Sequence, residues 1–501
     1  MLLATFAALA IVTQDQAALR AAPQRTAQQQ ATLWQGDTLE VRGEHLDYLQ
    51  VYDHRRERAG YVLASQARIV ALEAAAAPGL LAVLEFLRDA PGSEALGIAY
   101  AAAYLKAAPV EAISAEPLVA LGLMADRLAA RASARSGRAS DAKLAAHLDV
   151  VAGYGVRFAS FERDGRVQLC YDGDALRRAL ALPASARQQA EAMLALTRHE
   201  CLDPAQSPLE RRAVDQWRAE ALERVDARAL PPLLKNRIRI RRAGVWAGLA
   251  FAHTRGGESG QEAGSRALQE LAAVVESELT VEDRAAYTEA AVRVGASRWA
   301  AEDDATPRGA LRIATQAGAP GETCVLLLDG AHTETSPLLR RCTYGTVWRA
   351  SASANRAGTA LALAVQPLEA WREVWVFRKA KAPVGAAHGR EAKALVGAAH
   401  GREAKALVGA AHGREAWSVD ILPPAASGPD LGYAEFAGWV PGKAQLLVAR
   451  EARVQDRWQR SFEIVSLDTL AVLRRAGEPD HLSAFYRWQS PAWKQLTVSL
   501  R

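Results

Sequence analysis

The sequence predicts an α+β multidomain protein: a small N-terminal β-barrel, a central domain of α-helical hairpins and a C-terminal all-β domain. Three observations carry this reading. Apolar residues alternate in period two through residues 17–70, as half-buried strands require. They recur at helical spacing through residues 71–304. From residue 305 on, Val, Leu and aromatic runs alternate with Gly and Pro turns. A chain of 501 residues fits about three such domains.

The N-terminal segment comes first. Residues 2–12 have the length and apolarity of a signal h-region, and Ala8-Leu9-Ala10 is an A-x-A cleavage candidate, so residues 1–16 read as a leader. The first basic residue is Arg20, so the basic n-region is missing. A buried strand or helix fits the same run. In residues 17–70, Leu39 and Val41, then Leu49 and Val51, alternate between the turn signals Gly36-Asp37 and Gly60. The pattern predicts a five-stranded small barrel with Leu39, Val41, Leu49, Val51 and Val62 inside.

Helical spacing then takes over. Leu80, Leu84 and Leu87 lead to the stop signal Asp89-Ala90-Pro91-Gly92, and Ser93 is placed to cap the next helix. A third helix covers 118–132, and 135–140 read as an exposed loop. Near residues 155–171 two strand-like runs flank Asp164-Gly165, a strong hairpin signal. Helices are predicted over 185–198, 209–225, 233–255, 265–279 and 281–299, the last opened by a Thr280…Asp283 capping pair. The short connections predict antiparallel hairpins.

The composition changes in residues 305–501. Eight of the twelve Trp lie here: Trp348, Trp371, Trp375, Trp417, Trp439, Trp458, Trp488 and Trp493. A twelve-residue unit beginning at Val384 recurs identically at 396–407 and begins again at 408–416. Identity without drift reads as duplication of a loop, with strands on either side that pair with each other. His388, His400 and His412 are copied with the unit. At ~18 Å apart on a helix they could not share a metal.

Two stretches resemble known families. The order of the pieces at Leu19 to Pro23, Trp34 to Val41, Tyr48 to Val51 and Gly60-Tyr61-Val62 resembles the bacterial Src-homology-3-like domain, a module of cell-envelope proteins. The charged turn Arg55-Arg56-Glu57-Arg58 departs from that pattern. Gly438-Trp439-Val440-Pro441-Gly442-Lys443 resembles the W-x-P-D-G-K strand pair of TolB-type propeller blades, without the usual Asp. A full propeller needs at least four blades, more than this region supplies, so blade-like antiparallel sheets are expected.

Few residues nominate chemistry. Cys324 and Cys342 sit on two runs joined by a loop, and Cys170 and Cys201 flank another stretch. Two disulfides fit an oxidising compartment, and four buried thiols fit the same spacing. Cys170 with His199 is the pair to test as a nucleophile and base, though it lacks the Asp-Cys-Ser/Gly motif of papain-like wall hydrolases. Lys235, Arg239 and Arg242 share one helix face, where an anionic partner could sit or which could simply face solvent. The cluster Glu302-Asp303-Asp304 reads as a solvated linker.

No zinc helix, nucleophile elbow or phosphate-binding loop occurs, so no catalytic, cofactor or metal residue is nominated and no cofactor is expected. The net charge of +5 is small, and no basic stripe carries interleaved aromatics, which argues against a nucleic-acid partner. No apolar run reaches the ~20 residues of a membrane span. The sequence thus predicts a periplasmic or exported, non-enzymatic binding or scaffolding protein. Its partner would be cell-wall peptide or glycan, or another envelope protein. The alternatives are an envelope hydrolase with a site between the helical and β domains, and a cytoplasmic interaction protein.

Overall fold

The computed structural model describes residues 8–134, 138–163, 165–303, 310–379, 417–426, 431–455, 457–490 and 493. The multidomain α+β class holds, with an N-terminal antiparallel sheet, a helical centre and C-terminal β-sheets. The chain divides into two compact units, one of residues 1–211 and 220–238, the other of residues 212–219 and 239–501. These boundaries differ from the predicted ones at 70 and 304.

The first unit opens with strands β1 (Ala8–Val12), β2 (Ala17–Arg20), β3 (Gln29–Leu33), β4 (Thr38–His45), β5 (Tyr48–Asp53), β6 (Arg58–Leu63) and β7 (Ala67–Val70). They form one antiparallel sheet in the order β3-β2-β6-β5-β4-β1-β7. Leu39, Leu49, Val51 and Val62 are buried together, and Val41 packs half-buried against them. The expected barrel is corrected on two points. The sheet has seven strands, not five, and it ends on β3 and β7 without closing among the described residues.

One of the added strands comes from outside residues 17–70. Part of the stretch read as a leader is β1, an interior strand that pairs Ala10 with Leu39 on one side and with Ile69 on the other. Ala10 and Val12 join the core of the sheet, while Ile11 points into the helical core. A strand covered on both faces is apolar at successive positions, and so is an h-region. Ile11 and Val70 share their core with Leu84, Ile98, Met124 and Leu128, so sheet and helices fold as one body. Gly36, at φ +88°, makes the turn into β4; a Cβ there would lie 2.5 Å from the Ala95 carbonyl oxygen.

The helices follow: α1 (Ala77–Arg88), α2 (Glu94–Ala107), α3 (Ala115–Ala134) and α4 (Arg138–Ala152). Helix α4 starts inside the segment read as a loop at 135–140, of which 135–137 lie outside the described residues. Ser93 does not cap α2 with its side chain; its hydroxyl donates to the Leu87 and Ala90 carbonyls and closes α1 instead. The hairpin is present as β8 (Phe158–Arg163) and β9 (Arg166–Tyr171), with Arg163 opposite Arg166. Then come α5 (Asp174–Leu180), which the sequence reading missed, and α6 (Ala186–Leu196). Ser185 with Gln188, and Ser207 with Glu210, form reciprocal capping boxes at α6 and at α7 (Pro208–Glu223). Helices α7 and α8 (Pro232–Arg255) contribute residues to both units.

The second unit continues with α9 (Gln261–Ala272) and α10 (Val281–Ser297), whose Thr280 hydroxyl accepts from the Asp283 amide at 3.2 Å. Its strands are β10 (Arg312–Ala317), β11 (Thr323–Leu328), β12 (Leu339–Thr343), β13 (Thr346–Ala354), β14 (Ala360–Leu368), β15 (Trp371–Lys379), β16 (Trp417–Leu422), β17 (Gly432–Trp439), β18 (Gln445–Val454), β19 (Arg457–Ser466) and β20 (Val472–Ala476). A short helix, α11 (Ser483–Trp488), follows. Strands β10-β11-β12 form a small sheet. Strands β13 to β16 and β17 to β20 run as two antiparallel meanders. They join through one short parallel pairing, Trp371 with Gly432 and Arg372 with Tyr433.

Helix α10 belongs with these strands. Gly295 lies against Tyr433 so closely that a Cβ would come within 2.6 Å of the ring. That contact packs α10 against β17 within the second unit. The twelve-residue repeat at 384–416, with its three His, lies outside the described residues. The strands that flank it pair in register from Val374–Leu422 to Lys379–Trp417, so the segment between them connects a hairpin.

Candidate functional site

All four cysteines are disulfide-bonded. Cys170, on β9, bonds Cys201 in the turn His199–Cys201, with Cα atoms 5.7 Å apart. Arg163 braces that turn, donating to the His199 and Leu202 carbonyls at 3.3 and 2.7 Å. Cys324 and Cys342 are direct register partners on β11 and β12 and are bonded at a Cα separation of 3.8 Å. These bonds overturn the Cys170–His199 nucleophile pair, because a disulfide sulfur has no thiolate to offer. Glu322, Cys324 and Cys342 lie within 4.8 Å of one another, but the two sulfurs are spent on each other and make no metal site.

Two residues of the basic face of α8 have partners within the fold. Arg239 donates to the Ala273 carbonyl at the C-terminus of α9, and Arg242 reaches Glu270 at 3.3 Å while only 8% exposed. Cations at a helix C-terminus offset its partial negative charge. Arg239 and Arg242 thus tie α8 to α9, and Lys235 is half-buried beside them on the same helix. Asp303 accepts from Gln261 at 2.8 Å, and Asp304 lies outside the described residues.

The charged turn that broke the family pattern is held by carboxylates. Arg56 donates to Asp53 at 2.7 Å and to Asp37 at 3.1 Å, and both carboxylates are buried. Arg55 reaches Asp149 of α4 at 2.8 Å. The turn therefore fastens the sheet to the helices of its own unit.

A solvent-facing cluster lies on β4, β5 and the turn that follows β5. Glu40 stands opposite Tyr52 in register. The Arg42 guanidinium lies 4.2 Å from the Tyr52 ring centre, and the His54 ring meets Tyr52 edge-on at 4.8 Å. Glu40 binds His54 Nε2 at 2.5 Å and Arg42 Nε at 3.2 Å. Those two hydrogen bonds hold the Glu40 carboxyl below its ordinary range. The cluster offers a guanidinium, an imidazole, a carboxylate and an aromatic ring at the surface, a set suited to peptide or sugar contact. Sequence reading missed it because its members come from two strands and the turn after β5: Glu40 lies in a recognised strand, while Tyr52 and His54 fall just past the recognised run Tyr48 to Val51.

The second unit holds a buried charge cluster. Arg298, just past α10, forks onto Glu435 of β17, Nε to Oε2 at 2.9 Å and Nη2 to Oε1 at 2.7 Å. Arg372 of β15 donates to the same Oε2 and lies 5.3 Å from the Tyr433 ring centre. Tyr433 donates to Glu451 at 3.0 Å, and Arg460 pairs with Glu451 at 2.9 Å. Burial pushes the Glu435 carboxyl up, but the two guanidiniums outweigh it and hold it low. Burial draws the Arg372 pKa down, with Arg298 adding to the effect.

Comparison of the chain with known protein families, with curated proteins and with solved structures finds no match.

Proposed function

We propose that the protein is an exported binding or scaffolding protein of the cell envelope, whose N-terminal sheet contacts wall peptide or glycan. The observation that carries this reading is the pairing of all four cysteines, because disulfides persist in oxidising compartments and are rare in the cytosol. The antiparallel order of β1 to β7 and the shared core of Leu39, Leu49, Val51 and Val62 support a Src-homology-3-like reading of the sheet. The two four-stranded meanders support a blade-like reading of the C-terminal region. The surface cluster Glu40, Arg42, Tyr52 and His54 is the contact patch this function would use.

Two measurements test the proposal. Cells expressing the full chain are fractionated with free thiols blocked before lysis; the protein should appear in the envelope or periplasmic fraction with no blocked thiol. Purified protein is then sedimented with isolated peptidoglycan sacculi. Wild type should pellet with them, and the double variant Tyr52→Ala, His54→Ala should stay in solution. A cytosolic protein with four free thiols, or equal pelleting of both forms, would refute the reading.

A further inference from the structure

The Arg298–Glu435–Arg372 cluster does not balance. Two guanidiniums share one carboxylate, Glu451 is already engaged by Arg460 and Tyr433, and Arg372 is 0% exposed. A lysine in that position could shed its proton to escape the cost of burial. Arginine stays charged in proteins, so the excess positive charge persists. A buried charge without compensation is costly, and buried N–H donors without acceptors add to the cost.

The unmet groups are all donors. Among the described residues, Arg372 Nε and Nη1 and Arg298 Nη1 have no acceptor, and neither does the indole N–H of Trp299. The Trp299 ring lies 3.9 Å below the Arg298 guanidinium, so its indole belongs to the same neighbourhood. A water oxygen would accept from these donors but leave the excess positive charge in place; an anion answers both.

We propose that Arg298 and Arg372 hold a monovalent, halide-sized anion beside Glu435. Its single charge equals the excess of the cluster. Its small size follows from the setting: Arg372 is 0% exposed and Arg298 4%, so no solvent-open cleft leads a bulky organic anion to them. The anion would stabilise the joint where β15 meets β17 and α10 docks, which is separate from the surface cluster around Tyr52.

The experiment titrates sodium chloride against sodium gluconate at constant ionic strength and follows the Tm of the full chain, alongside chloride NMR line broadening. Chloride should raise the Tm saturably, by roughly 2–4 °C at ten times its dissociation constant, and gluconate should not. Arg372→Met balances the remaining pair and should abolish both signals. Should that variant fail to fold, Glu435→Gln decides: with two cations and no carboxylate, its chloride dependence should be steeper than that of wild type. The proposal is overturned by equal Tm values in chloride and gluconate with no line broadening. A saturable effect of sulfate or phosphate in place of chloride, or a chloride effect that survives in Arg372→Met, overturns it equally.

Discussion

Arg298 grips Glu435 with two parallel hydrogen bonds, at 2.9 and 2.7 Å, and both side chains are withdrawn from solvent. The pair ties the end of α10 to β17 across 137 residues of chain. Removing one member of such a pair leaves the other charge buried and alone. Glu435→Ala should therefore cost ~3–5 kcal/mol in chemical denaturation. The pair also sets a pH dependence. The folded Glu435 carboxyl lies below its ordinary value of 4.5, so its contribution is present above that pH. It is lost as pH falls below 4.5 toward the folded value. Wild type should lose stability over this acid range, and a Glu435→Gln variant should lose less of its own.

Leu49 tests the N-terminal sheet. It is 3% exposed and packs with Leu39, Val51 and Val62. Leu49→Ala should cost ~2–5 kcal/mol, because the cavity adds to the lost burial. Val41→Ala should cost less, since Val41 only borders that core. Equal and small effects in urea unfolding would show that the sheet is not packed as described.

The disulfides enclose chain segments with sequence separations of 31 and 18. Chain-entropy arguments give each roughly 3–4 kcal/mol, with Cys170–Cys201 slightly the larger. Replacing either pair with Ser should lower the Tm by an amount that adding reductant to the variant does not repeat for the missing bond. Mass mapping of unreduced peptides should recover Cys170 with Cys201 and Cys324 with Cys342, and no mixed partners.

What the sequence made legible was local. Helical spacing at Leu80, Leu84 and Leu87 and the Asp164-Gly165 turn needed only near neighbours to be read. The flanking strands 374–377 and 417–422 were readable for the same reason. What it hid depended on distant partners. Residues 8–12 look alike as an h-region and as an interior strand, and only β4 and β7 decide between them. Arg239 and Arg242 looked free because their acceptors, the Ala273 carbonyl and Glu270, lie on another helix. Arg298, Arg372 and Glu435 carry no shared motif; the parallel joint of β15 and β17 brings Arg372 to Glu435, and the end of α10 brings Arg298.

The repeat offers a test of that same locality. Lys379 stands opposite Trp417, so the segment between them links two strands already in register. Closing such a connection costs entropy that grows by ~0.6 kcal/mol per doubling of length. Deleting residues 384–407 removes two whole units and shortens the connection by about one and a half doublings, a gain of roughly 1 kcal/mol. The partners Val374–Leu422 through Lys379–Trp417 keep their register, because whole units leave the strands untouched. The deletion variant should fold, with a Tm equal to or slightly above that of wild type. Its far-ultraviolet circular dichroism should keep the β contribution of β15 and β16. A fall in Tm of several degrees would show that the repeat takes part in packing and is more than a lengthened turn.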